Sequence, residues 1–232
     1  MNSNQTYYGS TPVGRLDAQS RGAFVSRTYS HLFSAIAAFT VLEIFFFKTG
    51  LAESIAKVLL SASWLLVLGG FMVISWIARG VAHRATSKAA QYAALAGYVV
   101  GQAIIFVPLL YLADVYAPGA ITSAAAVTFL AFTGLSLVAF YTRKDFSFLR
   151  GILMWAGIIA MVLIVAGVIF GFQLGTFFSV AMVGVAGAAI LYDTSNVLHH
   201  YPEDRYVAAA LELFASVALM LWYVLRIFMS RR

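Results

Sequence analysis

The chain has 232 residues, of which 62% are hydrophobic and only 10% are charged, with a formal net charge of +6. Soluble globular domains are about 45–50% apolar and about 25% charged, so this composition excludes them and indicates an integral membrane protein. The chain contains no cysteine, which excludes disulfides, thiolate metal sites and cysteine nucleophiles. Basic cytoplasmic loops explain the positive charge better than nucleic-acid binding does. The predicted partner is therefore the lipid bilayer, with no nucleic acid.

Residues 1–29 are polar and carry Arg15, Arg21 and Arg27. They lack the apolar core and the cleavage site of a secretory signal. We predict a polar cytoplasmic N-terminal tail. Removing roughly 20 residues from it should leave the fold intact, because a segment with so little apolar content cannot pack into a core.

A bilayer core about 30 Å thick needs roughly 20 apolar residues per spanning helix. By this measure the sequence contains seven segments, and the short loops between them make neighbouring helices antiparallel. In chain order the segments are Ser30–Phe47, Val58–Ala78, Ala89–Leu112, Gly119–Tyr141, Phe148–Phe170, Leu174–Leu198 and Val207–Met229. We predict an all-α membrane protein with one seven-helix transmembrane domain over residues 30–229 and a short C-terminal tail at 230–232.

The loop charges predict the orientation of the bundle. With the N-terminus in the cytoplasm, ten Lys and Arg residues lie in inside segments and five lie in outside segments, the bias that the positive-inside rule describes. The arginines Arg226, Arg231 and Arg232 disagree with this bias. Either the rule is weak at the last tail, or the seventh segment re-enters the membrane. We predict seven full spans, with the N-terminus inside and the C-terminus outside.

Small residues recur at four-residue spacing in two places. Gly97 and Gly101 lie in the third segment, where such spacing lets transmembrane helices approach each other closely. We predict that these two glycines pack against another helix. Gly171 and Gly175 are expected to shape the turn between the fifth and sixth segments.

Asp193 ends the longest uncharged stretch of the chain. The 42 residues before it contain no Lys, Arg, Asp or Glu, and a carboxylate facing lipid would cost about 2.5–3.5 kcal/mol. Asp193 therefore needs a partner, a proton or water. Its helical face continues through Ala189, Ala186 and Met182, which predicts packing against another helix. Asn196, one turn further on, adds a second polar group to that side.

Three other polar residues can meet Asp193. Glu212 and Ser216 lie one turn apart on the seventh segment, which a short loop joins to the sixth, so the two polar faces can come together. Arg79 lies near the end of the second segment. Asp193 with Arg79 would form an ion pair, whereas Asp193 without a cation would be a proton-titrated switch. The third alternative is a static hydrogen-bonded aspartate that holds the last two segments together.

The remaining polar residues indicate no catalytic site. Arg226 is expected to extend to the interface, as isolated arginines do, and Glu43 is explained equally well by interfacial solvation and by burial. The sequence has no HExxH zinc helix, no GxSxG elbow and no glycine-rich phosphate loop. His199 and His200 point to different helix faces, which weakens a metal site with Asp193. We predict a protein that is not an enzyme and binds no metal or cofactor.

Four strings resemble the Bax inhibitor-1 family. They are SRTYSHLFSAI at 26–36, YTRKDFSFLRGIL at 141–153, ILYDTSNVLHH at 190–200 and LELFASVALMLWYVLRIF at 211–228. The strings occur in order and reach both ends of the chain. The TSN after the acid and the serine at position 216 are similar to the bacterial YccA branch of the family. The resemblance implies a central hydrophobic helix surrounded by the other six.

The resemblance implies one of two activities, and the first is a pH-sensitive calcium leak. In such family members two aspartates on the last two helices share a proton, and an arginine pairs with them. Asp193 matches the first aspartate and Arg79 matches the arginine. Ser216 stands in place of the second aspartate, and Leu68 stands in place of a glutamate on the second helix. A lone carboxylate cannot share a proton with a hydroxyl as two carboxylates do, and Glu212 is the substitute acid that the sequence offers.

The second implied activity is protease modulation. YccA-like members bind the membrane-anchored FtsH protease with its prohibitin-like partners and modulate its degradation of membrane proteins. Because half of the acid pair is missing, the resemblance favours a multi-pass interaction protein of a bacterial inner membrane that modulates such an AAA protease, with its C-terminus in the periplasm. The alternatives are a cation leak centred on Asp193, with Ca²⁺ as the transported ion, and a structural helix bundle without transport.

Overall fold

The computed structural model describes residues 11–230, so residues 1–10 of the predicted tail lie outside the described part of the chain. Within it, eight α-helices follow one another: α1 (Ala18–Lys48), α2 (Leu51–Ser61), α3 (Trp64–Arg84), α4 (Lys88–Tyr116), α5 (Ala120–Thr142), α6 (Leu149–Phe170), α7 (Thr176–His199) and α8 (Tyr206–Ser230). Single 3-10 turns at Val13–Arg15 and Glu203–Arg205 precede α1 and α8. Of the eight described helices, seven are long and apolar enough to cross a membrane, and α2 is the exception. The predicted all-α multi-span bundle is therefore confirmed.

Helix α8 forms the centre of the bundle. It contacts α1, α3, α4, α5 and α7, and 72% of its spanning window is buried, against 11% for α3 and for α6. A run of buried alanines at Ala208, Ala209 and Ala210 lets the neighbouring backbones approach it on several sides. The helix is continuous for 25 residues, so the seventh segment is long enough to cross the membrane without a break.

The first helix begins earlier than predicted. α1 starts at Ala18 rather than at Ser30, because the carboxylate of Asp17 accepts hydrogen bonds from two backbone N–H groups of the first turn at 2.9 and 3.0 Å. Such a cap satisfies donors that have no partner inside the helix. The buried stripe of α1 then runs through Phe24, Thr28, Leu32, Ala35, Phe39 and Glu43. Residues 18–29 thus belong to the bundle, which corrects their assignment to a polar tail.

Residues 11–17, the N-terminal strap, pack across the end of α7. Val13 is fully buried, and its N–H donates to the carbonyl of Tyr201 at 2.9 Å. Gly14 lies so close to the backbone of His199 that an added Cβ would come within 2.9 Å of its carbonyl oxygen. This packing argues against the expectation that roughly 20 residues can be removed without damage to the fold, because part of that segment does pack into the bundle.

The second predicted segment, Val58–Ala78, is divided between two helices. α2 ends at Ser61 and α3 begins at Trp64, because Ala62 has an extended backbone conformation (φ −78°, ψ 157°) that cannot continue a helix. α2 itself begins after Gly50, whose φ of +76° lies in the left-handed region that favours glycine. Hydropathy alone did not reveal this break, since small residues at the junction lower the apolar average very little.

The predicted glycine contacts are present in part. A Cβ on Gly101 would lie 3.2 Å from the side chain of Ile74 on α3, whereas a Cβ on Gly97 would meet no described atom within 4 Å. Gly97 is exposed, so of the predicted pair Gly101 alone lies at a close helix approach. Gly171 ends α6 with φ +73°, which confirms its predicted role in the turn.

Four chain segments meet at one end of the bundle, which we call the basic end. They are the strap and the loops α3–α4, α5–α6 and α7–α8. The guanidinium of Arg205 donates to the carbonyl of Ala85, and the ammonium of Lys88 donates to the carbonyl of Asp204. These bonds tie the α7–α8 loop to the α3–α4 loop, so this end of the bundle is a connected polar network.

Two of the strings that carry the family resemblance contact each other at the basic end. The N–H of Phe146 donates to the buried Oγ of Ser195 at 2.9 Å, and Nε2 of His200 lies 2.9 Å from Oδ2 of Asp145. The pKa of Asp145 lies below its usual range, mainly because the N–H of Ser147 donates to it, with His200 acting in the same direction. The stabilisation is therefore present at neutral pH and is lost only as pH falls through the lowered pKa. Both partners are about half exposed, so this contact contributes at most about 1 kcal/mol.

Candidate functional site

A cavity of about 830 Å³ lies between α3, α6, α7 and α8 near the basic end, and we call it the acid cavity. Its polar lining comes from three helices. The lining side chains that bear on function are Arg79, His83, Asp193, Asn196, Glu212 and Ser216. At 1.5 Å per residue, Asp193 lies about 9 Å from the end of α7. The structure thus brings together four of the five predicted sensor candidates, together with the supporting Asn196.

Asp193 is the most deeply placed acid in this cavity. It is 8% exposed, and the hydroxyl of Ser216 donates to its Oδ2 at 2.5 Å. The face of α7 that continues through Ala186 and Met182 is buried, and α7 packs mainly against α8. The predicted packing of this face against another helix is confirmed.

Glu212, not Asp193, is the ion-pair partner of Arg79. Oε2 of Glu212 lies 2.9 Å from Nη1 of Arg79, and its Oε1 lies 3.1 Å from Nε2 of His83. Of the alternatives that the sequence left open for Asp193, a direct ion pair with Arg79 is therefore not the one that the structure shows. Glu212 lies one turn closer to the basic end of α8 than Ser216, which puts it at the depth of Arg79 on α3. The Arg79 side chain lies inside the bundle, and 45% of its surface is exposed because this side chain faces the open space of the acid cavity.

Two residues of the site were not identified from the sequence. His83 follows Arg79 by four positions on α3, so the shared helix face was a signal that could have revealed it. The ring of Tyr201 stacks on His83 at 5.9 Å and on Phe24 at 6.4 Å. No helical periodicity could have placed Tyr201, because it lies in the α7–α8 loop. Through Tyr201 the contacts of the N-terminal strap reach the acid cavity.

A second cavity of about 840 Å³ continues from the acid cavity toward the opposite end. Arg79 and Leu68 line both cavities. At the far end, Nη2 of Arg226 donates to the carbonyl of Leu174 at 3.4 Å, so this arginine binds the α6–α7 turn rather than only extending to the interface. Among the described residues that line the second cavity, none is acidic.

Glu43 lies apart from these cavities. It is 7% exposed on the core-facing stripe of α1, and neither of its side-chain oxygens has a hydrogen-bond partner among the described residues. The structure therefore excludes the interfacial reading and supports the buried one. Such an unpaired buried group is uncommon in folded proteins, and Glu43 does not contribute to the acid cavity.

The acid cavity combines two carboxylates in different surroundings. Asp193 accepts a hydrogen bond from a hydroxyl, while Glu212 is balanced by a guanidinium and an imidazole. Proton exchange is within the chemistry of such a cluster. An arginine at the cavity wall opposes accumulation of divalent cations by Coulomb repulsion.

The chain is similar to known proteins over most of its length. Residues 21–232 match the family model described as Inhibitor of apoptosis-promoting Bax1. The chain is 36% identical over 111 residues to Uncharacterized protein PA2604 of Pseudomonas aeruginosa, a match that covers 47% of this chain and 49% of that protein. That match therefore spans about half the length of the relative. The chain is also 28% identical over 160 residues to two Escherichia coli proteins, Modulator of FtsH protease YccA and Inner membrane protein YccA, covering 68% of this chain and 70% of each.

Proposed function

This chain belongs to the Bax inhibitor-1 family, and from that premise we propose that it is an interaction protein of a bacterial inner membrane that modulates a membrane-anchored AAA protease of the FtsH type. The relative named as a modulator of FtsH protease supports this proposal over two thirds of the chain. The multi-pass architecture fits a partner that is itself held in the membrane. The protein acts by contact rather than by catalysis.

The observation that carries the proposal is the hydrogen bond from Ser216 to Asp193. Gating by a shared proton needs two carboxylates at that place. Glu212, the substitute acid, is already paired with Arg79. The second cavity adds apolar walls and another arginine instead of acids. These features argue against calcium passage, so protease modulation, the activity for which a relative is named, is the better supported of the two alternatives.

Affinity purification from native membranes tests the proposal directly. The tagged chain, solubilised in mild detergent after brief crosslinking in the membrane, is expected to recover the FtsH-type protease and its prohibitin-like partners. An unrelated tagged multi-pass protein at the same level is the control. Recovery of the chain without the protease, from membranes that contain both, would contradict the proposal.

One observation favours the cation leak as a second candidate. Asp193, Glu212, Arg79 and His83 all face one cavity, which is where a proton-sensitive gate would lie. In proteoliposomes we expect weak or no calcium flux from the wild type. A leak channel would instead show pH-dependent flux that Asp193→Asn abolishes. The control Glu53→Gln, in the exposed pair with Lys57 on α2 and away from both cavities, would leave that flux unchanged.

The proposed orientation places the basic end in the cytoplasm. Because the chain contains no cysteine, single cysteines can report this directly. A cysteine at Ser147 in the α5–α6 loop is expected to resist a membrane-impermeant thiol reagent in intact cells and to react after permeabilisation. A cysteine at Lys57, on exposed α2 at the other end, should react in intact cells. The opposite labelling pattern would invert the orientation.

A further inference from the structure

A second charged cluster lies at the basic end, where α1, α4 and α8 meet, and its members do not line the acid cavity. The ammonium of Lys88 lies 4.2 Å from the ring centroid of Tyr206, and the guanidinium carbon of Arg27 lies 5.8 Å from the same centroid. The hydroxyl of Tyr92 is 3.2 Å from the hydroxyl of Tyr206 and 3.2 Å from Nε2 of His31. We call this group of five residues the headgroup cluster: Arg27, His31, Lys88, Tyr92 and Tyr206.

The headgroup cluster lacks negative charge of its own. The charges that act most on Lys88 are Asp204, Arg205 and Arg27. The carboxylate of Asp204 is paired with Arg205 at 3.2 Å, and the ammonium of Lys88 donates to the backbone carbonyl of Asp204 and, at 3.4 Å, to Oε1 of Gln91. Within the described residues, the guanidinium of Arg27 makes no ion pair and donates no hydrogen bond, and the ring of Tyr206 is its cation–π partner. Two cations therefore face the surface without a carboxylate partner.

Helix lengths place this cluster at the depth of lipid headgroups. α1 has 31 residues, which at 1.5 Å per residue gives about 46 Å against a hydrocarbon core of about 30 Å. Arg27 and Lys48, the last residue of α1, lie 21 residues or about 32 Å apart along this helix, so the two cations can lie at opposite boundaries of the core. Lys88 and Tyr206 are the first residues of α4 and α8. Tyrosines are enriched at this depth, and basic pockets between transmembrane helices bind anionic headgroups there.

We propose that the headgroup cluster binds the phosphate of an anionic phospholipid such as phosphatidylglycerol. Arg27 offers a planar fork of N–H donors that suits phosphate oxygens, and Lys88 adds a compact positive charge. The hydroxyls of Tyr92 and Tyr206 supply further hydrogen bonds. Tyr92 is 41% exposed, so the cluster is continuous with the surface that meets the bilayer, which favours a lipid over a soluble anion.

Binding at this site joins three helices that are distant in sequence. Tyr206 directly follows the α7–α8 loop, and Lys88 holds that loop through the carbonyl of Asp204. A bound headgroup would therefore stabilise the loop that carries Tyr201 beside the acid cavity. The proposal is independent of the protease partner, because it concerns only the lipid environment of the chain.

Thermal unfolding of the purified protein in neutral detergent tests the site. Phosphatidylglycerol is expected to raise the unfolding temperature by several degrees, whereas phosphatidylcholine and inorganic phosphate are expected to have little effect. Arg27→Gln should remove at least half of the phosphatidylglycerol shift. The matched control Arg150→Gln, an exposed arginine at the same end on α6, should keep the shift.

Native mass spectrometry of the same variants counts retained lipid independently of stability. Arg27→Gln should retain fewer phosphatidylglycerol molecules than Arg150→Gln does. Equal shifts with phosphatidylcholine, or equal losses in both variants, would overturn a specific site. A shift with inorganic phosphate as large as that with phosphatidylglycerol would overturn the lipid assignment and indicate a soluble anion.

Discussion

Glu212→Gln is expected to lower the free energy of unfolding by about 2 kcal/mol, because hydrogen bonds to charged groups contribute about 1.5–3 kcal/mol each. The substitution leaves Arg79 and His83 facing an amide in place of a carboxylate. Breaking a fully buried ion pair costs about 3–5 kcal/mol. The expected loss is smaller here because 45% of the Arg79 side chain is exposed, so water in the cavity can solvate it.

Asp193→Asn is expected to cost less than Glu212→Gln. The amide oxygen of the asparagine can still accept the hydrogen bond from Ser216, and no cation loses its partner. We therefore expect a change below about 1 kcal/mol, close to that of a neutral hydrogen bond. The sequence left two outcomes open: a large loss if Asp193 were the ion-pair partner of Arg79, and a nearly neutral change if Asp193 were only a hydrogen-bonding group. The contact with Ser216 favours the second outcome.

Denaturant unfolding in detergent micelles measures both changes. Glu53→Gln is the matched control, because it makes the same chemical change in the exposed pair with Lys57 on α2, whose side chains are 53% and 71% exposed. An exposed pair of this kind contributes about 0–1 kcal/mol. A larger loss from Asp193→Asn than from Glu212→Gln would show that Asp193 is the true partner of Arg79.

Gly14→Ala is expected to destabilise the protein by about 1–3 kcal/mol, the range for forcing extra atoms into a packed site. Its Cβ would lie 2.9 Å from the carbonyl oxygen and 3.3 Å from Cα of His199. These are backbone atoms of the last turn of α7, so they cannot rotate away as a side chain can. The N-terminal strap would then have to lift from the α7–α8 loop.

Gly22→Ala provides the opposite expectation in the same region. A Cβ on Gly22 would meet no described atom within 4 Å, and the residue lies inside α1. Alanine in a helix interior is favoured over glycine by about 0.5–1 kcal/mol. Gly22→Ala should therefore leave stability unchanged or raise it. Thermal unfolding compares the two variants, and an equal response would show that the strap does not pack on α7.

The same pair of variants tests whether the strap reaches the acid cavity. Lifting the strap removes the support of Tyr201, which stacks on His83. Limited proteolysis of the α7–α8 loop should therefore be faster in Gly14→Ala than in Gly22→Ala or the wild type. If the α7–α8 loop is cleaved no faster in Gly14→Ala than in the wild type, the strap does not support the residues of the acid cavity.

Much of the fold could be predicted from the sequence because lipid restricts the alternatives. A chain that crosses hydrocarbon must satisfy its backbone hydrogen bonds internally, so long apolar runs become helices. The seven spans, the central last helix and the buried face of Asp193 all followed from this constraint or from the family resemblance. Helix ends were harder to predict. The start at Ala18 depends on one capping carboxylate, and the break before Trp64 depends on two extended residues, Ala62 and Ser63.

The sequence by itself determined which polar residues must avoid lipid, since the cost of exposing Asp193, Arg79 and Glu212 to hydrocarbon does not depend on their neighbours. Only the tertiary structure decided which of them pair. The partner of Arg79 depends on the relative depth of α3 and α8, and a shift of one helical turn exchanges Ser216 for Glu212. Tyr201 and the N-terminal strap likewise reach the site through loops that have no periodicity, so their contacts exist only once the helices have packed.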